Sequence, residues 1–152
     1  MNIDVRAATR RDQDCLYRLY GLALRSYIER IWGWDEAWQR QDFDQHFVPE
    51  HTQVALVGGN VVAMLQWEER REAIYIRQMA VLPEHQGKGI GRTVLQRVLA
   101  RAAESGRGAA LRVFKINVRA RELYERLGFT TDRESDTHYS MCWQPLPNSP
   151  HP

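Results

Sequence analysis

Three observations predict a mixed α/β fold. Two β-rich runs, Val54-Ala55-Leu56-Val57 and Val61-Val62-Ala63-Met64-Leu65, flank Gly58-Gly59-Asn60, which is hairpin chemistry. A further apolar run, residues 73–82, stops at Pro83 and leads into a turn with three glycines and then a clean helical stripe. The remaining chain alternates strand and helix patterns once more before two short closing strands. Together they predict one α/β domain with a mixed, mostly antiparallel sheet flanked by about four helices.

The length agrees, since 152 residues make one good core but not two. Hydrophobic residues at 43% and charged residues at 26% are ordinary for globular chains, which argues against disorder and fibrous repeats. The domain is expected over residues 1–144. Residues 145–152 hold four of the six prolines and are expected to form a disordered tail.

In chain order, residues 2–7 read as a short strand. Thr9 and Asp12 have capping-box spacing before a helix carrying Leu16, Leu19, Tyr20, Ala23 and Leu24, which ends near Ile31-Trp32-Gly33. Asp35 suits the cap of a second helix, Glu36 to His46, closed by Pro49. After the hairpin, Glu68-Glu69-Arg70-Arg71-Glu72 reads as a charged turn before the central strand at 73–82. Ile90, Val94, Leu95, Val98, Leu99 and Ala102 mark a long amphipathic helix ended by Gly106 to Gly108. A strand at 109–114 follows, then a helix striped by Ala120, Leu123, Tyr124 and Leu127 and stopped at Gly128, then strands at about 129–134 and 137–143.

No stretch approaches the ~20 apolar residues of a membrane helix, and the opening residues lack an apolar signal core. A cytoplasmic protein without a membrane partner is expected. Cys15 and Cys142 lack metal-ligand spacing and are expected as two buried thiols, with no metal. The net charge of +2 is unevenly spread: residues 1–69 hold seven Arg against eleven Asp and Glu, giving −4, and residues 70–152 hold fourteen against eight, giving +6. A basic second half suits a polyanionic ligand and equally suits scattered solvated side chains. With so modest a total and no recognition motif, no nucleic-acid partner is expected.

The turn Gln86-Gly87-Lys88-Gly89-Ile90-Gly91 carries the chemistry. Glycines allow close approach to the main chain, and the amides opening a helix favour an anion, with Lys88 and Arg92 beside them. A tight turn needing positive φ would select the same glycines with no ligand. The spacing fits neither the dinucleotide fingerprint nor a P-loop.

It does match Gln/Arg-x-x-Gly-x-Gly/Ala, and in this the chain resembles the GNAT (GCN5-related N-acetyltransferase) superfamily. The resemblance includes Met79-Ala80-Val81 before the turn and the Asn-x-x-Ala-x-x-Leu-Tyr-x-x-x-Gly-Phe segment from Asn117 to Phe129, so that it spans roughly residues 74–130. It implies a sheet splayed between its fourth and fifth strands and an acyltransferase that moves an acetyl group from acetyl-coenzyme A directly to a primary amine of a small molecule, peptide or protein. Main-chain groups of Met79, Ala80 and Val81 would hold the pantetheine arm. Gln86, Gly87, Lys88, Gly89, Ile90, Gly91 and Arg92 would hold the pyrophosphate.

By the same resemblance Asn117 and Tyr124 contact the cofactor, and Tyr124 is the catalytic acid that protonates the departing thiolate. Asn117 reads equally as a helix N-cap, and Tyr124 also as a buried aromatic on its helix stripe. The positions comparable to the family's basic carboxylates look like Tyr75 and Arg112, so the base is unassigned; Glu68, Glu69 and Glu72 read as a solvated turn. Tyr27, Trp32 and Trp34 are candidate acceptor-pocket residues, with Trp38 expected in a satellite core. Tyr75, Arg77 and Arg112 are the strand candidates, the two arginines for an acceptor carboxylate. Exposed strand edges make a homodimer an expectation too. The alternative, a catalytically silent acyl-coenzyme A-binding module, is kept open by the missing base.

Overall fold

The computed structural model describes residues 1–146. In chain order it contains β1 (Ile3–Ala7), α1 (Gln13–Ile31), α2 (Glu36–His46), β2 (Thr52–Val57), β3 (Asn60–Glu69), β4 (Ala73–Val81), α3 (Ile90–Glu104), β5 (Gly108–Phe114), α4 (Val118–Arg126), β6 (Thr130–Glu134) and β7 (His138–Trp143). The seven strands hydrogen-bond in the order β1-β2-β3-β4-β5-β7-β6. The β1-β2, β2-β3, β5-β7 and β6-β7 ladders are antiparallel, and β4-β5 is parallel. That parallel ladder joins Ala73–Ile76 to Gly108–Leu111 and ends there, before either strand does, as expected of a sheet splayed at this pair.

The described residues form two compact units, Met1–Glu68 with Arg77–Leu95, and Glu69–Ile76 with residues 96–146. In the first, the start of α1 is fixed by one carboxylate. Asp12 accepts from the Thr9 amide at 2.8 Å and the Thr9 hydroxyl at 3.4 Å, while Arg6 grips both its oxygens at 2.8 and 3.1 Å. These contacts hold Asp12 below the usual carboxylate range, with the Arg6 hydrogen bond the largest cause. The Thr9 capping pattern opens a short 3-10 turn, Arg10–Asp12, and α1 follows from it. Tyr17, Tyr20, Trp34, Phe43 and Phe47 then join α1 to α2 through ring contacts with centroids 5.4 to 6.2 Å apart. Trp38 does not join them: its amide donates to the Asp35 cap, and its side chain is 58% exposed.

The β2-β3 hairpin closes through Gly58 and Gly59, at φ of 59° and 80°. Two consecutive positive φ values match the right-handed strand twist and are open to glycine at little cost. Val62 to Trp67 of β3 are all buried, the mark of a strand covered on both faces.

In the second unit Ile74, Ile76, Val98, Leu99, Ala102, Ala109, Leu111, Val113, Phe129 and Met141 are buried. The charged stretch read as a turn is partly strand, because β3 runs on to Glu69. Long-range charge pairing secures this residue: Glu69 bonds Arg107 at 2.9 Å and Arg101 at 3.2 Å. Cys15 and Cys142 are free thiols, half-buried where full burial was expected. Of the proline-rich stretch, residues 147–152 lie outside the described residues, and Leu146 is 90% exposed.

Candidate functional site

The end of β4 and the glycine turn belong to one unit, and a side chain fastens them together. Gln86 donates through Nε2 to the carbonyl of Val81 at 3.0 Å, across a 3-10 turn at Pro83–His85. Within the glycine signature, Gln86 therefore anchors the turn to the last residue of β4. Gly87 and Gly89 have φ of 78° and 81°, separated by Lys88 with negative φ. Alternation of this kind turns successive amides toward one concavity, an anion-binding arrangement.

Thr93 is the first residue of α3 to bond back, its amide reaching the carbonyl of Gly89 at 3.1 Å and its hydroxyl the same oxygen at 2.9 Å. The amides of Ile90, Gly91 and Arg92 thus lack acceptors inside the helix, as at any helix start. An ideal Cβ built on Gly89 meets nothing within 4 Å. The residues fit a diphosphate: there is open space at Gly89, the first amides of α3 have no acceptor inside the helix, and the positive end of a helix dipole adds to the attraction. Lys88 and Arg92 are exposed at the same turn. Ala80 is buried, and Met79 and Val81 are half-buried in β4.

In the other unit, Asn117 caps α4, its Oδ1 accepting from the Ala120 amide at 3.3 Å. Replacing it by alanine is expected to cost about 1 kcal/mol of stability, read as a lower urea midpoint; Asn117→Ser should recover most of the loss. Tyr124, one turn further on, is 6% exposed and packs on Phe129 with centroids 5.7 Å apart. Burial drives its phenol well above the ordinary tyrosine pKa.

Two more phenols are displaced upward. Tyr20 is pushed up to about 12, by burial first and then by the charge of Asp42. Tyr17 rises through burial and through its 2.5 Å hydrogen bond to Glu36. All three stay protonated in the folded chain where free tyrosine ionises, near pH ~10. Above that pH the unfolded chain releases protons the folded one keeps, so stability falls as pH rises. The urea midpoint is expected to decline from about pH 10 upward, with the share of tyrosinate absorbance that belongs to these three phenols appearing only as the fold is lost.

The candidate acceptor residues are dispersed. Tyr27 is half-buried on α1, Trp32 is 66% exposed at its end, and Trp34 packs tilted against Tyr20 while its indole donates to Glu36 at 3.0 Å. Arg25 lies over the same indole at 5.2 Å. Tyr75 lies beneath Arg70, whose guanidinium carbon is 3.9 Å from the ring centroid. Arg77 is paired with Asp42 at 3.2 Å and Glu68 at 3.7 Å. Arg112 is exposed on β5.

Three residues gain roles that sequence reasoning missed. Asp42 is the partner of Arg77, 35 positions away. Gln39 accepts from the Tyr20 hydroxyl at 2.8 Å within the core; a lone Gln on the apolar face of α2 was the available signal. His138 is buried at the start of β7, opposite Phe114. Among the carboxylates considered for a base, Glu69 is held below its usual range by Arg107 and Arg101, and so serves the fold as a fixed anion. Among the described residues no group of three or more His, Cys, Asp or Glu is arranged to hold a metal, and no helix is long and apolar enough to cross a membrane.

Comparison with known proteins gives this geometry its family. A curated relative, N-alpha-acetyltransferase 40 of Saccharomyces cerevisiae, is 38% identical over 85 residues, covering 51% of this chain and 27% of the relative. The chain thus spans about a quarter of the length of that relative. The PaiA N-acetyltransferase of Thermoplasma acidophilum, solved with coenzyme A, has the same fold, with TM-score 0.79 and 15% identity over 95% of this chain and 99% of that one. So does the ribosomal-protein-S18-alanine N-acetyltransferase of Escherichia coli, with TM-score 0.76 and 18% identity over 94% of each. The model of the Acetyltransferase (GNAT) family matches residues 16–129, from the first core leucine of α1 to the phenylalanine that ends the α4 segment. The chain belongs to the acetyltransferase (GNAT) family.

Proposed function

We propose that the protein is an acyltransferase that moves the acetyl group of acetyl-coenzyme A directly to a primary amine. The observation that carries this is the Gln86–Gly91 turn: open space at Gly89, alternating positive φ at Gly87 and Gly89, and amides at the start of α3 with no acceptor in the helix. Membership of a family that uses acetyl-coenzyme A supports it. The cofactor supplies an activated thioester.

The reading assigns the pyrophosphate to the main chain from Gln86 to Arg92, with Lys88 and Arg92 adding charge, and the pantetheine arm to the main chain of Met79–Val81. Tyr124 donates a proton as the thiolate departs. Burial keeps its phenol protonated throughout the physiological range, so the donor is always present. Asn117 fixes the start of the helix that carries Tyr124, and a contact with the cofactor belongs to the same reading. Tyr27, Trp32, Trp34, Tyr75, Arg77 and Arg112 remain its candidates for the acceptor side. A cytoplasmic site of action fits the two free thiols, and homodimerisation through a sheet edge is the oligomer it favours.

The test is thiol release from acetyl-coenzyme A with a panel of small amines, amino acids and N-terminal peptides. Release that depends on the acceptor is the expected result. Tight acetyl-coenzyme A binding with no release from any acceptor would replace this reading with a silent binding module, and no binding would remove both.

A further inference from the structure

Tyr20 joins three elements of the first compact unit, the one that also holds the end of β4 and the glycine turn. From α1 its hydroxyl donates to Oε1 of Gln39 on α2 at 2.8 Å. The side chain of Gln78 on β4 hydrogen-bonds the same hydroxyl. Its ring centroid lies 5.8 Å from that of Trp34, a candidate for the acceptor side. Tyr20 and Gln39 are each 5% exposed, so the loss of either partner leaves a buried polar group unpaired.

Three positions after Gln39, and on the same face of α2, Asp42 pairs with Arg77 at 3.2 Å. Arg77 and Gln78 are consecutive. In a regular strand consecutive side chains point to opposite faces, yet here one meets α2 and the other meets α1. The alternation of burial along β4 breaks at the same place: Ile74 and Ile76 are buried, Arg77, Gln78 and Met79 are all half-buried, and Ala80 is buried again. A charged and a neutral bond thus bring both helices to two adjacent strand residues. The next residue is Met79, whose Cα follows that of Gln78 at about 3.8 Å, and with it begins the main chain assigned above to the pantetheine arm.

We propose that Tyr20 is a positioning residue for the acceptor amine: bonded to Gln39 and Gln78, its hydroxyl sets α1 and α2 against β4, and with them the distance from the amine to the thioester. The two helices and their connection carry Tyr27, Trp32 and Trp34. A shift of this layer moves the acceptor side and leaves the Gln86–Gly91 turn in place, so its effect falls on the amine and not on acetyl-coenzyme A. This rests on the acetyltransferase reading above, which puts the amine and the pantetheine arm together on these elements.

The test compares the wild type with Tyr20→Phe, Asp42→Asn and Thr52→Val. Phenylalanine keeps the ring contacts with Tyr17, Trp34 and Phe43 and removes only the hydroxyl. Asp42→Asn cuts the charged half of the same join at a half-buried side chain, and reads the proposal if Tyr20→Phe does not fold. Thr52→Val is the control for lost stability, since it removes a buried hydroxyl that bonds the Val48 carbonyl at 2.8 Å, away from β4. Thiol release with the best acceptor from the amine panel gives kcat/KM for the amine, calorimetry gives acetyl-coenzyme A affinity, and a thermal melt gives stability. In Tyr20→Phe the amine kcat/KM is expected to fall about 10- to 100-fold, the scale of a misplaced reactant, with acetyl-coenzyme A affinity unchanged. Asp42→Asn should fall less, because Arg77 keeps Glu68 at 3.7 Å, and Thr52→Val should melt lower with full kcat/KM. An unchanged amine kcat/KM in the folded Tyr20 or Asp42 variant, an equal loss of acetyl-coenzyme A affinity, or a matching loss in Thr52→Val would overturn the proposal alone. A wild type that releases thiol with no acceptor would sink the transferase reading and this role with it.

Discussion

Replacing Gly89 by valine is expected to weaken acetyl-coenzyme A binding at least about 100-fold, a loss of some ~3 kcal/mol, while the chain stays folded. Two features of the position separate these effects. Its φ of 81° disfavours any L side chain and most of all a β-branched one, at a cost of about 1–3 kcal/mol that a domain of this size can survive. No protein atom lies within 4 Å of its ideal Cβ, so the added branch enters the open space at the turn where the diphosphate is proposed to sit. Titration calorimetry with acetyl-coenzyme A reads the binding, and circular dichroism with a thermal melt reads the fold. Unchanged affinity would remove the turn from the cofactor site. Gly89→Ala should fall between the two, since it carries the φ cost but only one carbon of obstruction.

Replacing Tyr124 by phenylalanine is expected to lower kcat by about 100- to 10,000-fold, the range for losing a positioned general acid. Acetyl-coenzyme A affinity and the melting temperature should change little. Tyr124 is buried and its ring packs on Phe129, contacts that phenylalanine retains, and among the described residues no protein group holds its hydroxyl. A large fall in stability would recast the hydroxyl as structural. A full kcat would pass the role of acid to another group. The ratio of kcat to KM losses in stopped-flow thiol release separates transition-state stabilisation from ground-state binding.

The parts of this protein that depend on neighbours in sequence are legible in the sequence alone. Gly58-Gly59 announces its hairpin because only residues tolerant of positive φ close so short a loop. The stripe Ile90, Val94, Leu95, Val98 announces α3 because every fourth residue shares a face, and all four are buried. The glycine turn is legible for the same local reason, and its place between the β4 and α4 segments points to the family.

What stays hidden are choices made by groups far apart in the chain. Glu68 and Glu69 look like turn residues because charge is locally a surface signal; their place at the end of β3 is supported by Arg77 for the first, and by Arg101 and Arg107 for the second. Trp38 looks like core by composition, yet the Asp35 cap fixes the start of α2 and the helix carries the indole outward. By itself the sequence determined the elements, the glycine turn and the family, since each is written in spacings of a few residues. Only the tertiary structure decided which strand arginine is neutralised, because Asp42 reaches Arg77 across 35 positions.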